Sequence, residues 1–557
     1  MLGHLDRGAA FFGLQAPLQT GHGVAYRSKK IQASFQLRRD AVKDFLSRHA
    51  DRITGVLSGF DRLVFRGTLR HISYTDGMGK YLSYRKILLK DFTGFAQKLT
   101  ADLKHCLTEQ AERLSRPVVY VESTRRNKEA IAREIAERDK LQHGLIAVLS
   151  CVEPCLTFSI RRNPRLKRLE LVHGFRKCLF FYHYFLDPVF GFMHARIQSW
   201  LPFNIQVCVN GREWLAIQMN QAGIRYRRRE NCFPWIQDVD AAQRLLDEQL
   251  KCHWAQTLNR IAQLLNPLLP RLFPQGGVGY YWSVYQSEWA TDVMFRDSSS
   301  LAEIYPALVR HGITTFSSPD VMRFLGRQVR SDFSGEIVSR FRDRPEGLRL
   351  KHAIGQNSVK IYDKQGSVLR VETTIHRPED MRCFRPKEGQ PRGPRAWRPL
   401  RRGIADLHRR ASLSQASNER YLQALASCDT SSPLGQLLTP VCRTTHWNGS
   451  RVRALRPWEA LDASLLAAIS RGEFHLRGFR NRDLRQLLFP NPTQDPSETR
   501  RRSARITRLL RILRAHGLVR KIPKTFRYQL TKRGQELCSA VLTANSLTIQ
   551  QIQKAVA

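Results

Sequence analysis

The chain has 557 residues, too many for one ordinary core, and 42% of them are hydrophobic, which excludes a disordered tail protein. Lys and Arg number 91 against 48 Asp and Glu, a net charge of +43. Solubility alone does not require so large an excess, and it points to a polyanionic partner, because each cation set against a phosphate releases condensed counterions.

No run of about 18 uncharged apolar residues occurs, so no membrane helix is expected. The N-terminus lacks the basic-apolar-small order of a secretory signal. The eleven cysteines include no Cys-x-x-Cys pair, so no structural zinc is expected and a reducing cytoplasm is the natural setting.

Residues 1–36 are Gly- and Gln-rich and read as a poorly ordered leader. Residues 37–115 read as a helical region, with Leu63-Val64-Phe65 as a short exception. From 116 to 270 strand and helix patterns alternate, which suggests an α/β domain. Within it Asn210-Gly211 is a turn signal, and the apolar run Cys178–Leu186 reads as a core strand. Residues 271–376 read as a second α/β domain holding acidic strands. Prolines and charges over 377–398 suggest a linker, followed by a basic helical segment over 402–426 and a loose stretch to 457. The fold class expected is α+β and multidomain: a mixed α/β body with antiparallel hairpins, then a C-terminal helical domain over 458–557.

That last domain has the clearest pattern. Two helices, with Asp462 and Asn481 as N-cap candidates, precede a third from about Ser497 to Ala515. On the third, Ile506, Leu509, Leu510 and Leu513 form an inward stripe. Its other face carries Arg501, Arg505, Arg508 and Arg511. Gly517 closes it, two short strands form a hairpin bearing Lys521, Lys524 and Arg527, and Thr531 caps a final helix. The stretch HGLVRKIPKTFRYQLTKRG resembles the end of a MarR-like winged helix-turn-helix. The resemblance implies that the third helix enters the major groove, that the hairpin grips the backbone, and that duplex DNA is the partner. Domains of this type often act as dimers, so a homodimer is an open expectation. Between Glu498 and Arg533 stand thirteen Lys and Arg against one acid.

Acids are scarce, so those on apolar strands stand out. Glu288 and Asp292 lie four apart in QSEWATDVMF and share a face if the segment is extended. Asp363 and Glu372 lie on the two arms of a hairpin, VKIYDK and VLRVET, around Gly366. Asp292, Asp363 and Glu372 are candidate ligands for Mg²⁺ or Mn²⁺, and Glu288, Asp292, Tyr362, Asp363 and Glu372 are candidate catalytic groups. The same hairpin residues can instead form ordinary cross-strand ion pairs on an exposed surface. The YDK strand followed by R-hydrophobic-E resembles the strand pair of rolling-circle replication initiation factors. It matches at Tyr362, Asp363, Lys364, Arg370 and Glu372, and implies metal-assisted nicking by a tyrosine. The His-hydrophobic-His metal motif of a standard relaxase is lacking. Three readings follow: a DNA-processing or mobile-element protein, a non-enzymatic MarR-like transcriptional regulator, or an RNA-binding ribonucleoprotein component.

Overall fold

In a computed structural model of the chain, residues 43–546 are described except 315, 317, 327–336, 343–347, 391, 427–433, 471–478, 492, 494 and 523–524. Residues 1–36, expected to be a leader, therefore lie outside the described residues. The described residues divide into two compact units, one of 43–309, 324–326 and 337–422, the other of 310–323 and 423–546. The protein is mixed α/β, with one large, mostly antiparallel sheet and many helices. Among the described residues no helix is long and apolar enough to cross a membrane.

The first unit is built on an eleven-stranded sheet. Its strands are β1 (Ile53–Thr68), β2 (Val118–Tyr120), β3 (Gly144–Asn163), β4 (Arg168–Asp187), β5 (Gly191–Gln198) and β6 (Ile205–Asn210). A separate small hairpin, β7 (Tyr226–Arg229) with β8 (Cys232–Ile236), comes next. The sheet resumes with β9 (Tyr281–Phe295), β10 (Ile337–Arg342), β11 (Arg349–Ile354), β12 (Asn357–Lys364) and β13 (Val368–Ile375). Its order is β10-β11-β12-β13-β9-β1-β6-β5-β4-β3-β2, and every pairing but β2–β3 is antiparallel.

This order corrects two expectations. Residues 53–68, expected to be mostly helical, form a central strand, and the domain boundaries expected at 115 and 270 fall inside one sheet. Long-range pairing of β1 with both β9 and β6 overrides local propensity there. The proline-rich 377–398 segment likewise is not a bare linker, since β14 (Arg382–Pro386) pairs with β15 (Arg395–Pro399).

Four helices of this unit pack on the sheet. They are α1 (Lys128–Arg138), α2 (Gly211–Gln221), α3 (Val239–Glu248) and α4 (Leu407–Ala426). Asn210 does not make a hairpin turn; it caps α2, accepting hydrogen bonds from Arg212 N and Glu213 N. α4 packs on one sheet face, where Gln415 accepts from the Trp289 indole at 2.7 Å and Asn418 accepts from Thr373 Oγ1 at 2.6 Å. The aromatic run is core strand, with Phe180, Phe181, Tyr182, Tyr184 and Phe185 all buried in β4. Cys155 and Cys178 form a disulfide between β3 and β4, a pairing the spacing of the cysteines did not suggest.

The second unit has its own core around Leu465, Ile469, Leu484, Ile506, Leu510 and Leu513. A short hairpin, β16 (Thr445–Trp447) with β17 (Ser450–Val452), precedes α5 (Ala460–Ile469), α6 (Asn481–Leu488) and α7 (Pro496–Ala515). The hairpin β18 (Val519–Lys521) with β19 (Tyr528–Leu530) and α8 (Lys532–Ser546) complete it. Gly517 has φ 70°, a left-handed stop after α7, and Thr531 Oγ1 accepts from Gly534 N at 3.0 Å as the cap of α8. Asp462 is no cap. It is buried inside α5 and accepts both Arg453 Nη groups, at 2.7 and 2.8 Å. Asn481 is the first residue of α6, and its side-chain amide donates to Ser503 O of α7.

Candidate metal centre and nucleic-acid surfaces

Three neighbouring strands bring carboxylates together on the sheet face opposite α4. On β9, Glu288, Ala290 and Asp292 alternate with Trp289 and Thr291. On β13, Glu372 stands across from Ala290, and Arg370 across from Asp292. On β12, Lys360 pairs with Glu372, and Tyr362 with Arg370. β1 supplies Asp61, which the sequence reading missed. Pairing with β9 jumps from Phe60↔Trp289 to Arg62↔Glu288, so Asp61 is the extra residue of a β-bulge. Bulges re-aim side chains beside functional sites, and this one places Asp61 with the acids of β9 and β13. Oxygens of Asp61, Glu288 and Glu372 lie within 4.8 Å of one another.

Asp292 stands apart from that trio. Its carboxylate is fully engaged by two buried arginines: Arg212 Nη2 from α2 at 2.9 Å, and Arg370 Nε and Nη2 at 2.5 and 2.8 Å. Arg370 also reaches Asp61 Oδ1 at 3.0 Å and the carbonyl of Asn231, in the β7–β8 turn, at 2.7 Å. Asn231 Nδ2 donates to the same Asp61 oxygen at 2.7 Å. Asp292 is therefore a structural anchor that fixes Arg370, which with Asn231 fixes Asp61.

Asp363 also departs from the expected ligand set. In the hairpin register it pairs with Leu369, one residue out of phase with Tyr362 and Glu372, so it belongs to the other face. Its Oδ1 accepts from Gly366 N at 2.9 Å and shapes the turn. Of the three expected metal ligands, Asp292, Asp363 and Glu372, only Glu372 joins the cluster. The hairpin itself is not the exposed surface ion-pair ladder that was the alternative, since Tyr362, Arg370 and Glu372 are buried.

Around Glu372 the contacts are close. Tyr362 Oη donates to Glu372 Oε2 at 2.9 Å, and Lys360 Nζ lies 2.7 Å from Oε1. Burial and the facing charges of Glu288 and Asp61 raise the Glu372 pKa despite Lys360. Burial and Glu372 raise that of Tyr362 well above the ordinary phenol value. Asp61 moves the other way: burial would raise it, but Arg370 and Arg212 hold it below the usual carboxylate range.

The donor set fits a hard divalent cation. All three groups are carboxylates, and three adjacent ligands of an octahedral ion at ~2.1 Å stand about 3.0 Å apart, so the trio, within 4.8 Å of one another, would draw together by up to about 2 Å around an ion. Four carboxylates (Asp61, Glu288, Asp292 and Glu372) face four cations, Arg212, Lys360 and Arg370 at ion-pair distance and Arg62 across from Glu288, so the charges balance and the fit to an ion rests on the three oxygen donors.

Cations crowd on both sides of the cluster along the same face. Arg340, Lys351 and Lys360 form one cross-strand row leading to Glu372. Burial and then repulsion from Lys360, Arg349 and Arg340 lower the Lys351 pKa. On the other side Arg66 stands across from Gln206, which in turn stands across from Arg196. Burial, Arg402 and Arg196 together lower the Arg66 pKa.

In the second unit the inward stripe is as expected, with Ile506, Leu509, Leu510 and Leu513 buried. Arg501, Arg505, Arg508 and Arg511 are exposed along α7, and Lys521 is exposed on β18. Arg501 lies 3.4 Å from Glu498, and Arg505 stands over the Phe489 ring. Arg527 is half-exposed beside Phe526, which is 84% exposed at the hairpin tip. Lys524 lies outside the described residues.

Compared with models of protein families, with curated proteins and with solved structures, the chain finds no match.

Proposed function

We propose that this chain is a metal-dependent DNA-processing protein of the initiator, nickase or transposase kind, brought to duplex DNA by a C-terminal winged helix. The observation that carries the reading is the meeting of Asp61, Glu288 and Glu372 on three adjacent strands, with the Tyr362 hydroxyl bonded to Glu372. A cation held by those three carboxylates would polarise a phosphoryl oxygen and offset charge developing on it. The crowded cations on both flanks suit a phosphodiester strand laid across the sheet face.

In this reading Tyr362 is the nucleophile. Its Oη bonds to phosphorus as the P–O bond to the departing nucleotide oxygen breaks. The phenolic proton passes to Glu372, to whose Oε2 the Tyr362 hydroxyl already donates at 2.9 Å, and the departing oxygen takes up a proton from Glu372 or water. Asp292, Arg212 and Arg370 position the acids. In the second unit, helix–helix–helix–hairpin–helix order with arginines along α7 supports the winged-helix assignment.

Supercoiled and single-stranded DNA incubated with and without Mn²⁺ tests the proposal. Nicking should require the metal and be lost in Asp61→Asn and Glu372→Gln, while Asp363→Ala stays active. A protein–DNA adduct should be lost in Tyr362→Phe. Tight duplex binding without cleavage under any condition would instead establish a non-enzymatic regulator, and preference for structured RNA would establish the ribonucleoprotein reading.

A further inference from the structure

The β3–β4 hairpin outruns the sheet it belongs to. β2 pairs with β3 only at Val148–Ser150, and β5 pairs with β4 only from Phe180 to Asp187. Residues 152–163 and 168–179 therefore pair only with each other, as a two-stranded ribbon. Twelve residues at ~3.4 Å each make it about 40 Å long, and its last three pairs, Arg161↔Glu170 to Asn163↔Arg168, with their turn extend roughly 10 Å past the core contacts.

The base of the ribbon is anchored. Phe158 stacks on His173, the Trp200 indole donates to Phe158 O at 3.0 Å, and Ile160 and Leu171 pack on the main core. Beyond that pair, residues 161–170 leave the core. Five of these ten are cations (Arg161, Arg162, Arg165, Lys167 and Arg168), against 91 in 557 for the whole chain, so the tip is enriched about threefold over an already basic average. Its one acid, Glu170, is held by Asn163 Nδ2 at 3.0 Å and lies 3.4 Å from Arg168. Lower on the ribbon Phe175 is 78% exposed beside exposed Arg176 and Lys177, and Leu166 at the tip is 56% exposed.

An isolated two-stranded ribbon is at best marginally stable in water, and like charges packed along it weaken it further. An anionic partner would relieve that repulsion. The tip is nonetheless shaped in advance, since Asn163 Oδ1 accepts from Arg165 N at 3.0 Å and Leu166 N at 3.1 Å. A two-stranded ribbon fits the roughly 12 Å major groove of B-form DNA. The deep, narrow major groove of A-form RNA does not admit it. Four of the five cations are arginines, whose planar fork matches phosphate oxygens.

We infer that the distal β3–β4 ribbon is a second duplex-DNA-binding arm, which enters the major groove and sets Arg161, Arg162, Arg165 and Lys167 against phosphates on its two walls. Leu166 at its tip then meets base edges, where a thymine methyl is its natural contact. The inference rests on the reading of the chain as a DNA-processing protein, and it adds a duplex contact that the C-terminal domain does not supply.

The test uses the full chain and the quadruple variant Arg161→Ala, Arg162→Ala, Arg165→Ala, Lys167→Ala. Duplex affinity is measured by fluorescence anisotropy across a salt series. Each phosphate contact removed lowers the log–log salt slope by about 0.9, so four should lower it by about 3 to 4, with at least a tenfold weaker Kd near physiological salt. Because the tip is exposed, Tm and the nicking rate at saturating DNA should match the parent chain. An unchanged slope would overturn the inference, as would a variant that loses only structured-RNA binding or only binding to anionic vesicles. The outcome is separable from the proposed activity: if Asp61→Asn nicks as well as the parent, the catalytic reading fails while the arm is judged on its slope.

Discussion

Replacing Arg370 by methionine keeps the length of the side chain and removes its charge. In the native protein the guanidinium is 1% exposed and neutralises two buried carboxylates, Asp292 at 2.5 and 2.8 Å and Asp61 at 3.0 Å. Removing one partner of a buried ion pair typically costs about 3–5 kcal/mol, because the remaining charge keeps its desolvation penalty. Asp292 retains Arg212 and Asp61 retains Asn231, which places the expected loss toward the lower end, about 3 kcal/mol. For a folding unit of this size about 3 kcal/mol corresponds to a fall in Tm of roughly 4 °C. Adding Asp292→Asn removes one stranded charge and should recover part of the loss, so the double variant should be less destabilised than the sum of the singles. Thermal and urea unfolding followed by circular dichroism read both. A Tm within 1 °C of the parent, or strict additivity, would refute the network.

Two further outcomes follow from buried groups. Burial holds His183 and His194 near pKa 4, so both stay neutral in the folded state while the unfolded chain takes up protons from about pH 6.5. Their stabilisation is complete above pH 6.5 and is lost as pH falls towards 4, by about 3 kcal/mol per group at ~1.4 kcal/mol per pKa unit. Urea midpoints measured from pH 7 to 4 should fall, and His183→Phe, at a site with no partner for either ring nitrogen among the described residues, should flatten the dependence; an unaltered slope contradicts the assignment. Gly211 should tolerate no side chain: a Cβ there would stand 1.7 Å from Phe60 O, next to the bulge that carries Asp61. Gly211→Ala should lower stability by about 1–3 kcal/mol and weaken metal binding, and a variant as stable as the parent would show that β1 can shift freely.

Much of this site could be read from residue order. Glu288 and Glu372 stood out because acids are rare on apolar strands, and Gly366 marked the turn of the hairpin that carries Asp363 and Glu372. The sequence reading grouped Asp363 with Glu372, and the observed register separates them: Tyr362 pairs with Arg370 and Asp363 with Leu369, so alternation puts the two acids on opposite faces. Asp61 was missed for a different reason. ITGVLSGFDRLVF mixes β-branched residues and aromatics with two glycines inside a region whose flanks are helical, and only distant partners at 205–210 and 281–295 make it a strand. No local pattern announces that Asp61 sits on a bulge. The C-terminal unit was the most legible part because its helices, glycine stop and hairpin are local in sequence, as Ile506, Leu510 and Gly517 show. The distal ribbon carried a readable charge excess, but its projection beyond the core depends on how short β2 and β5 are.

The central claim is that Asp61, Glu288 and Glu372 together hold a divalent cation. Crystals grown with Mn²⁺ and measured at the manganese absorption edge test it most directly. An anomalous peak among those three carboxylates, absent in Glu372→Gln and retained in Asp363→Ala, is the predicted result. No peak at the cluster in crystals of the active protein with saturating Mn²⁺, with Lys360 still paired to Glu372, would contradict the account.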